Sequence, residues 1–249
     1  MNVVKIMGGL GNQLFQYAFA QSLKKCDEIG FDITYYDSHF NHSPDIAHRE
    51  FLLPCFVNNL TYATEDGLTR VNQWEYDHNK PYYNSFFFGD WQKVSFFKDI
   101  DLGIKLKDEF ISSYAREIAA KMQKQNSVSI HVRRTDYIKL GWALEDDYYT
   151  RAIETMQKRF EGTCIFYVFS DEAVPYLFER MPFNVYYISG DTLNDFWLMS
   201  QCKHHIIANS TFSFWPAYLN ENPDKIVIYP KDWKCPTPID IPLERWFTV

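Results

Sequence analysis

SVSIHVRRTD, residues 127–136, sets a short apolar, β-branched run directly before two arginines. A run of that length with so little polar alternation reads as a strand buried on both faces, as in parallel sheets covered by helices. Toward the C-terminus the same pattern recurs. Candidate strands at 164–169, 185–188, 205–208 and 226–229 alternate with candidate helices at 148–160, 173–180, 192–201 and 212–220. Strands and helices in that alternation indicate βαβ units and a Rossmann-like α/β half.

Toward the N-terminus a similar unit opens the chain: a strand at 3–7, a glycine turn, a helix at 12–29 and a strand at 31–36. Residues 38–110 are rich in aromatics, Asn and Asp, and only FFFGDWQ at 86–92 forms a compact apolar cluster. A helix expected over 106–125 ends in the polar KMQKQNS and places an interdomain joint there. The expected domains are therefore 1–125 and 126–249.

The chain has 249 residues, with 25 Lys and Arg against 32 Asp and Glu, a formal charge of −7. That balance argues against a partner such as nucleic acid, whose affinity depends on neutralising many phosphates. A small anion needs only one or two placed arginines. No apolar run is long enough for a transmembrane segment, and MNVVKIMGGLGN lacks the cationic and apolar regions of a secretory signal. Cys26, Cys55, Cys164, Cys202 and Cys235 are odd in number, widely spaced and never in a CxxC pair, which reads as reduced core thiols without structural zinc. Sequons at Asn41, Asn59 and Asn209 carry little weight without a signal.

Four constellations carry possible chemistry. Gly8-Gly9-Leu10-Gly11-Asn12-Gln13 lies between a strand and a helix, where glycines admit an anion and the helix start supplies N–H groups; a plain tight turn is the other reading. Leu14 replaces the third glycine of a dinucleotide fingerprint, and no Gly-Lys-Ser/Thr follows. His131-Val132-Arg133-Arg134-Thr135-Asp136 ends a strand, where open parallel sheets bind ligands. Continued alternation would put His131 and Arg133 on one face and Arg134 with Asp136 on the other, so Arg133 meets a phosphate and Asp136 holds Arg134. A surface salt-bridge cluster is the alternative. Asp171 in Phe169-Ser170-Asp171-Glu172 is either an acceptor for ribose or guanine, or a helix cap. Asn209-Ser210-Thr211-Phe212-Ser213 offers hydroxyls and N–H groups at a helix start. Asp99-Ile100-Asp101 is the only close acidic pair of metal-binding spacing and reads as a solvated turn, and His204-His205 reads as packing.

GGLGNQLFQYAFA at 8–20, HVRRTDY at 131–137, FSDE at 169–172 and ANSTFSFWPAYL at 208–219 together resemble the ordered motifs of the α-1,2-fucosyltransferases, glycosyltransferase family eleven. The resemblance implies two Rossmann-like domains facing across a cleft, the GT-B architecture. It implies transfer of L-fucose from GDP-β-L-fucose to the 2-hydroxyl of a galactoside, with inversion and with no metal or other cofactor. Arg133 would hold the β-phosphate, His131 and Asp171 the guanosine, and Ser210, Thr211 and Phe212 the phosphates or base. Gly9, Gly11 and Asn12 would close over the pyrophosphate and fucose. Asp136 is the nearest candidate base, with Asp37 and Glu145 behind it, and a dissociative mechanism needs little base. The acceptor would be a galactose-containing oligosaccharide or lipid-linked glycan. The lack of an anchor resembles bacterial members, cytoplasmic enzymes acting in solution or peripherally at the inner membrane. Competing readings are another HxRRxD fucosyltransferase, α-1,6 or protein O-linked, and a catalytically silent GDP-sugar or glycan-binding protein.

Overall fold

The computed structural model describes residues 1–249 except 25–26, 43–46, 161, 180–183 and 242–243, so Cys26 and the end of the expected 173–180 helix lie outside the described residues. The chain forms two compact units. One is Met1–Lys105 with Ile239–Ile241; the other is Leu106–Pro238 with the C-terminal stretch ending at Val249.

The first unit holds β1 (Asn2–Lys5), α1 (Leu10–Leu23), β2 (Ile29–Asp32), β3 (Thr69–Asn72) and β4 (Ser85–Phe88) in a parallel sheet ordered β2-β1-β4-β3. Helix α1 is apolar nearly all round, so it is buried nearly all round, as such a helix must be. Gly8 turns the chain into it at φ +77°, a conformation open chiefly to glycine. Two fully buried amides then fasten the unit. Gln16 accepts from the Met7 N–H at 2.9 Å and donates to the Gly89 carbonyl at 3.3 Å, joining the ends of β1 and β4. Gln13 accepts from the N–H groups of Leu52 (2.9 Å) and Leu53 (3.0 Å) and donates to the carbonyls of Gly8 (3.1 Å) and Glu50 (2.7 Å). Asn41, also fully buried, binds the N–H (3.1 Å) and carbonyl (2.9 Å) of Arg49, so its sequon is closed to modification. Aromatic wealth becomes core here: Phe19 stacks on Trp91 with centroids 3.8 Å apart, and Tyr76 and Phe96 meet Phe19 edge-on.

The second unit runs α2 (Ser113–Gln123), β5 (Ser127–Val132), α3 (Thr135–Lys139), α4 (Asp146–Lys158), β6 (Ile165–Ser170), β7 (Asn184–Ile188), α5 (Thr192–Gln201), β8 (His204–Ile206), α6 (Thr211–Leu219), β9 (Val227–Tyr229) and β10 (Trp246–Thr248). Its parallel sheet is ordered β10-β9-β8-β5-β6-β7. Counted from β5 as strand one, this is 3-2-1-4-5-6, the order of dinucleotide-binding sheets, with the switch point between β5 and β8. Every residue of β5 is buried, as its apolar run requires.

Three expectations change. The helix expected over 173–180 is a single 3₁₀ turn, Pro175–Leu177, which cannot start earlier because Pro175 keeps Val174 out of the helical region. Helix α2 starts at Ser113, capped by Ser112 accepting from the Ala115 N–H at 3.1 Å, and belongs to the second unit, so the joint falls before it at Lys105–Leu106. Strand β2 is Ile29–Asp32, against the expected 31–36, and α1 ends at Leu23, short of the expected 29, because Ile29 and Phe31 pair with β1.

Replacing Gln13 by leucine keeps the volume and strands two buried N–H donors. At ~1–3 kcal/mol for each buried group left unsatisfied, the unfolding free energy should fall by about 3 kcal/mol, read from urea denaturation.

Candidate functional site

At the switch point, the carboxyl ends of β5 and β8 deliver HVRRTD and ANSTF side by side. The chain leaves the extended state at Arg134, which has φ −127° and ψ −79°, and α3 begins at Thr135. Alternation therefore stops, and the expected pairing is reversed. Asp136 binds Arg133, not Arg134, with Nη2 to Oδ1 at 2.6 Å, the i,i+3 contact of a helical turn. Arg133 Nη1 also donates to Asp171 Oδ2 at 2.8 Å, and its guanidinium lies over the Tyr137 ring at 5.3 Å. Arg134 instead reaches Glu172 at 3.1 Å and Asp146 at 3.3 Å.

Asp171 takes more than Arg133. It accepts from the Arg134 N–H at 2.9 Å and from the Thr135 hydroxyl at 2.6 Å, so here it organises the arginines and caps no helix. A guanidinium carries five N–H donors; two carboxylate bonds fix the Arg133 fork and leave donors for an anion.

His131 is buried, and its Nδ1 has no hydrogen-bond partner among the described residues. Burial first, and the Arg133 charge second, push its pKa down to about 3, so the ring is neutral at working pH. It faces Phe212 at 5.6 Å, and Phe212 faces Phe196 of α5 at 5.7 Å. Ser210 caps α6, accepting from the Phe212 N–H at 3.3 Å, while Thr211 opens the helix half-exposed. The helix start brings a partial positive charge to the same place. Asn209, buried, donates to the carbonyls of Trp142 and Trp233, both at 2.8 Å, and Cys235 Sγ donates to the Asn209 carbonyl at 3.3 Å. The sequon at Asn209 is thus structural.

Asp195 escaped the sequence reading. It lies in the first turns of α5, which Asp191 caps by accepting from the Asn194 N–H at 2.9 Å. Its Oδ1 is buried against the Gly190 backbone with no side-chain partner among the described residues, and burial, then the Asp191 charge, push its pKa up to about 7 against the lowering effect of the Gly190 N–H. A second carboxylate four residues after the Asp191 cap was the available signal, one that ordinary helix starts share.

In the first unit, Gly9, Gly11 and Asn12 gather at that unit's own switch point between β1 and β4. Asn12 Oδ1 accepts from Gln92 at 3.4 Å, and its side chain covers Gly8, where a Cβ would sit 3.0 Å from Nδ2. A Cβ on Gly9 would meet the Arg49 side chain at 3.8 Å. Glu145 is exposed and paired with Lys234 at 3.1 Å, and Asp37 lies in the turn after β2. Asp99 and Asp101 are exposed, and Asp101 accepts from the Gly103 N–H at 3.0 Å. Among the described residues, no group of three or more His, Cys, Asp or Glu could hold a metal, and no helix is long and apolar enough to cross a membrane. His204 and His205 are buried packing: His205 Nδ1 meets Ser129 Oγ at 2.8 Å, and His204 Nδ1 accepts from the Ile226 N–H at 3.1 Å.

A model of glycosyl transferase family 11 matches residues 43–237. The chain belongs to this family. An alpha-1,2-colitosyltransferase of Escherichia coli is 30% identical, over 93% of this chain and 91% of that protein. The galactoside 2-alpha-L-fucosyltransferase Sec1 of Mus musculus is 24% identical, over 88% of this chain and 64% of its own length. Among solved structures, the NodZ alpha-1,6-fucosyltransferase co-crystallised with GDP superposes with a TM-score of 0.54 at 17% identity, covering 88% of this chain and 92% of that one. The family 11 chain thus has the Rossmann-like fold of the fucosyltransferases, as its motifs led one to expect.

The buried histidines fix an acid limit. His131 and His205 both have lowered pKa values in the folded state, so the unfolded chain binds protons first, below about pH 6.5. Their contribution is complete above that pH and declines as pH falls toward the folded values, by about 1.4 kcal/mol per pH unit for each histidine. Asp195 works in the opposite direction, since its pKa is raised. Urea unfolding at pH 7.5, 6.5 and 5.5 should show stability dropping only across the lower interval.

Proposed function

We propose that this glycosyltransferase moves L-fucose from GDP-β-L-fucose to the 2-hydroxyl of a terminal galactoside on an oligosaccharide or lipid-linked glycan, inverting the anomeric carbon without a metal. The observation that carries this reading is the Arg133 fork, held by Asp136 and Asp171 at the switch point beside the start of α6 and the neutral His131. The names of the relatives support the linkage and the sugar.

In this reading the bond from C1 of fucose to the β-phosphate oxygen breaks, and its electron pair leaves with GDP. Arg133 and the N–H groups opening α6 stabilise the charge where it develops, the role a metal plays elsewhere. The acceptor O2 bonds to C1 and loses its proton. The diphosphate competes with Asp136 for Arg133, and the displaced carboxylate takes that proton, a dissociative transition state asking little of the base. Asp195, next to Phe196 on α5, takes the guanine edge: N1–H and N2–H₂ are donors, and an ionised carboxylate is their complement. His131 and Phe212 flank the base.

A second donor has a specific observation behind it. The 30% identical E. coli relative is named for colitose, which is fucose without its 3-hydroxyl. GDP-fucose and GDP-colitose therefore belong in the same assay.

GDP release from GDP-fucose, with EDTA present, should be stimulated by β-galactosides such as lactose and yield a product fucosylated at O2. Strict dependence on Mn²⁺ would return attention to Asp99 and Asp101, and tight donor binding without turnover would make the chain a binding protein. Arg133→Ala should cut kcat/KM by about a thousandfold with an unchanged circular dichroism spectrum, whereas Asp136→Asn should cost about tenfold; the reverse order would make Asp136 an essential base.

If Asp195 reads guanine, protonating it removes the acceptor. The KM for GDP-fucose should rise by up to about tenfold per pH unit as pH falls below 7, and Asp195→Asn should have a high, pH-independent KM. A wild-type KM that stays flat between pH 5.5 and 7.5 would dismiss this contact.

A further inference from the structure

Trp74 is the most exposed large hydrophobic side chain among the described residues, at 78% of its full accessible surface. A tryptophan left in water gives up a large apolar gain, and tryptophan with its flat face is the side chain best suited to stack. Its backbone is fixed. Asn72, the last residue of β3, accepts from the Trp74 N–H at 2.9 Å and from the Glu75 N–H at 3.1 Å. Gln73 accepts from the N–H groups of Asp90 (2.8 Å) and Trp91 (3.2 Å), locking the turn after β3 to the turn after β4. Phe88, opposite Asn72 in register, is 45% exposed.

These residues stand at the carboxyl edge of the first unit's parallel sheet, the edge at which open α/β sheets bind ligands. They are continuous with the glycine turn: Gln73 packs on Gly89, whose carbonyl accepts from Gln16, whose own oxygen accepts from the Met7 N–H. The amide nitrogens of Asn72 and Gln73 have no hydrogen-bond partner among the described residues. Flat aromatic surface beside amide donors matches the two aspects of a pyranose, an apolar C–H face and a rim of hydroxyls.

We propose that Trp74, with Phe88 and the amides of Asn72 and Gln73, forms a platform on the first unit that binds a neutral pyranose ring of the acceptor glycan. This rests on the transferase reading above for the word acceptor, but not for the sugar.

Saturation-transfer NMR with lactose and longer neutral β-galactosides tests it directly, without turnover. The wild type should saturate the ring protons of one pyranose; Trp74→Ala should lose that signal and Trp74→Phe should keep it. In transfer assays, Trp74→Ala should raise the acceptor KM about tenfold, the worth of one good stack, with the donor KM within about twofold. Equal signals from wild type and Trp74→Ala, or no signal from any glycan with the wild type, would overturn the platform. So would a wild-type dimer that Trp74→Ala converts to monomer in light scattering, since Trp74 would then be covered by a second copy. Loss of the sugar signal in Trp74→Ala alongside a wild type that turns over no GDP-fucose would sink the transferase reading and leave the platform standing.

Discussion

Three donors converge on the carboxylate of Asp171: the Arg134 N–H, the Thr135 hydroxyl and Nη1 of Arg133. Two adjacent arginines at the end of a fully buried strand repel each other and lose water, a cost that only opposed charges can offset. Asp171 meets that constraint from β6, the neighbour of β5 in the sheet. It sets where the chain turns, and thus where α3 begins and which arginine keeps donors for an anion. The rest of the second unit's carboxyl edge is arranged around that choice, with Asp136 on the far side of Arg133 and Glu172 with Asp146 taking Arg134. The two arginines face four carboxylates, so an anion arriving here must displace one of them from Arg133 and meets no bare cation.

What was legible in the sequence follows from what repeats. Helix α5 occupies the expected 192–201 and β5 the expected 127–132, because buried parallel strands are short apolar runs and helices declare their caps. The placement of the motifs was legible for the same reason: those that follow strands land on the carboxyl edge. Its internal wiring was not. Face alternation holds only while the backbone stays extended, and it failed at Arg134, two residues past Val132, where the assignment of Asp136 depended on it. Asp195 was hidden because a carboxylate in the first turns of a helix is ordinary chemistry; only burial without a side-chain partner distinguishes it.

Residues 38–110 were opaque for a different reason. Order there comes from single amides, the buried Gln13 and Asn41 and the half-buried Gln73, each tying backbone groups dozens of positions away or across a turn, and from rings packed around Phe19 and Trp91. None of these has a period. A glutamine in GNQLFQ looks like surface polarity until the structure shows Gln13 and Gln16 fully buried with their donors and acceptors engaged. The motif that suggests a ligand thus spends two of its residues on holding its own turn in place.

The last residues of the chain complete both units. Asp240 accepts from the Val94 N–H and from the Ser95 hydroxyl in the first unit, and Trp246–Thr248 form the edge strand beside β9 in the second. Ile239–Ile241 follows nearly the whole of the second unit in the chain, so during synthesis the first unit, long since emerged, waits for a piece that lies beyond its neighbour. Vectorial synthesis therefore gives the first unit no finished intermediate before the second has been made.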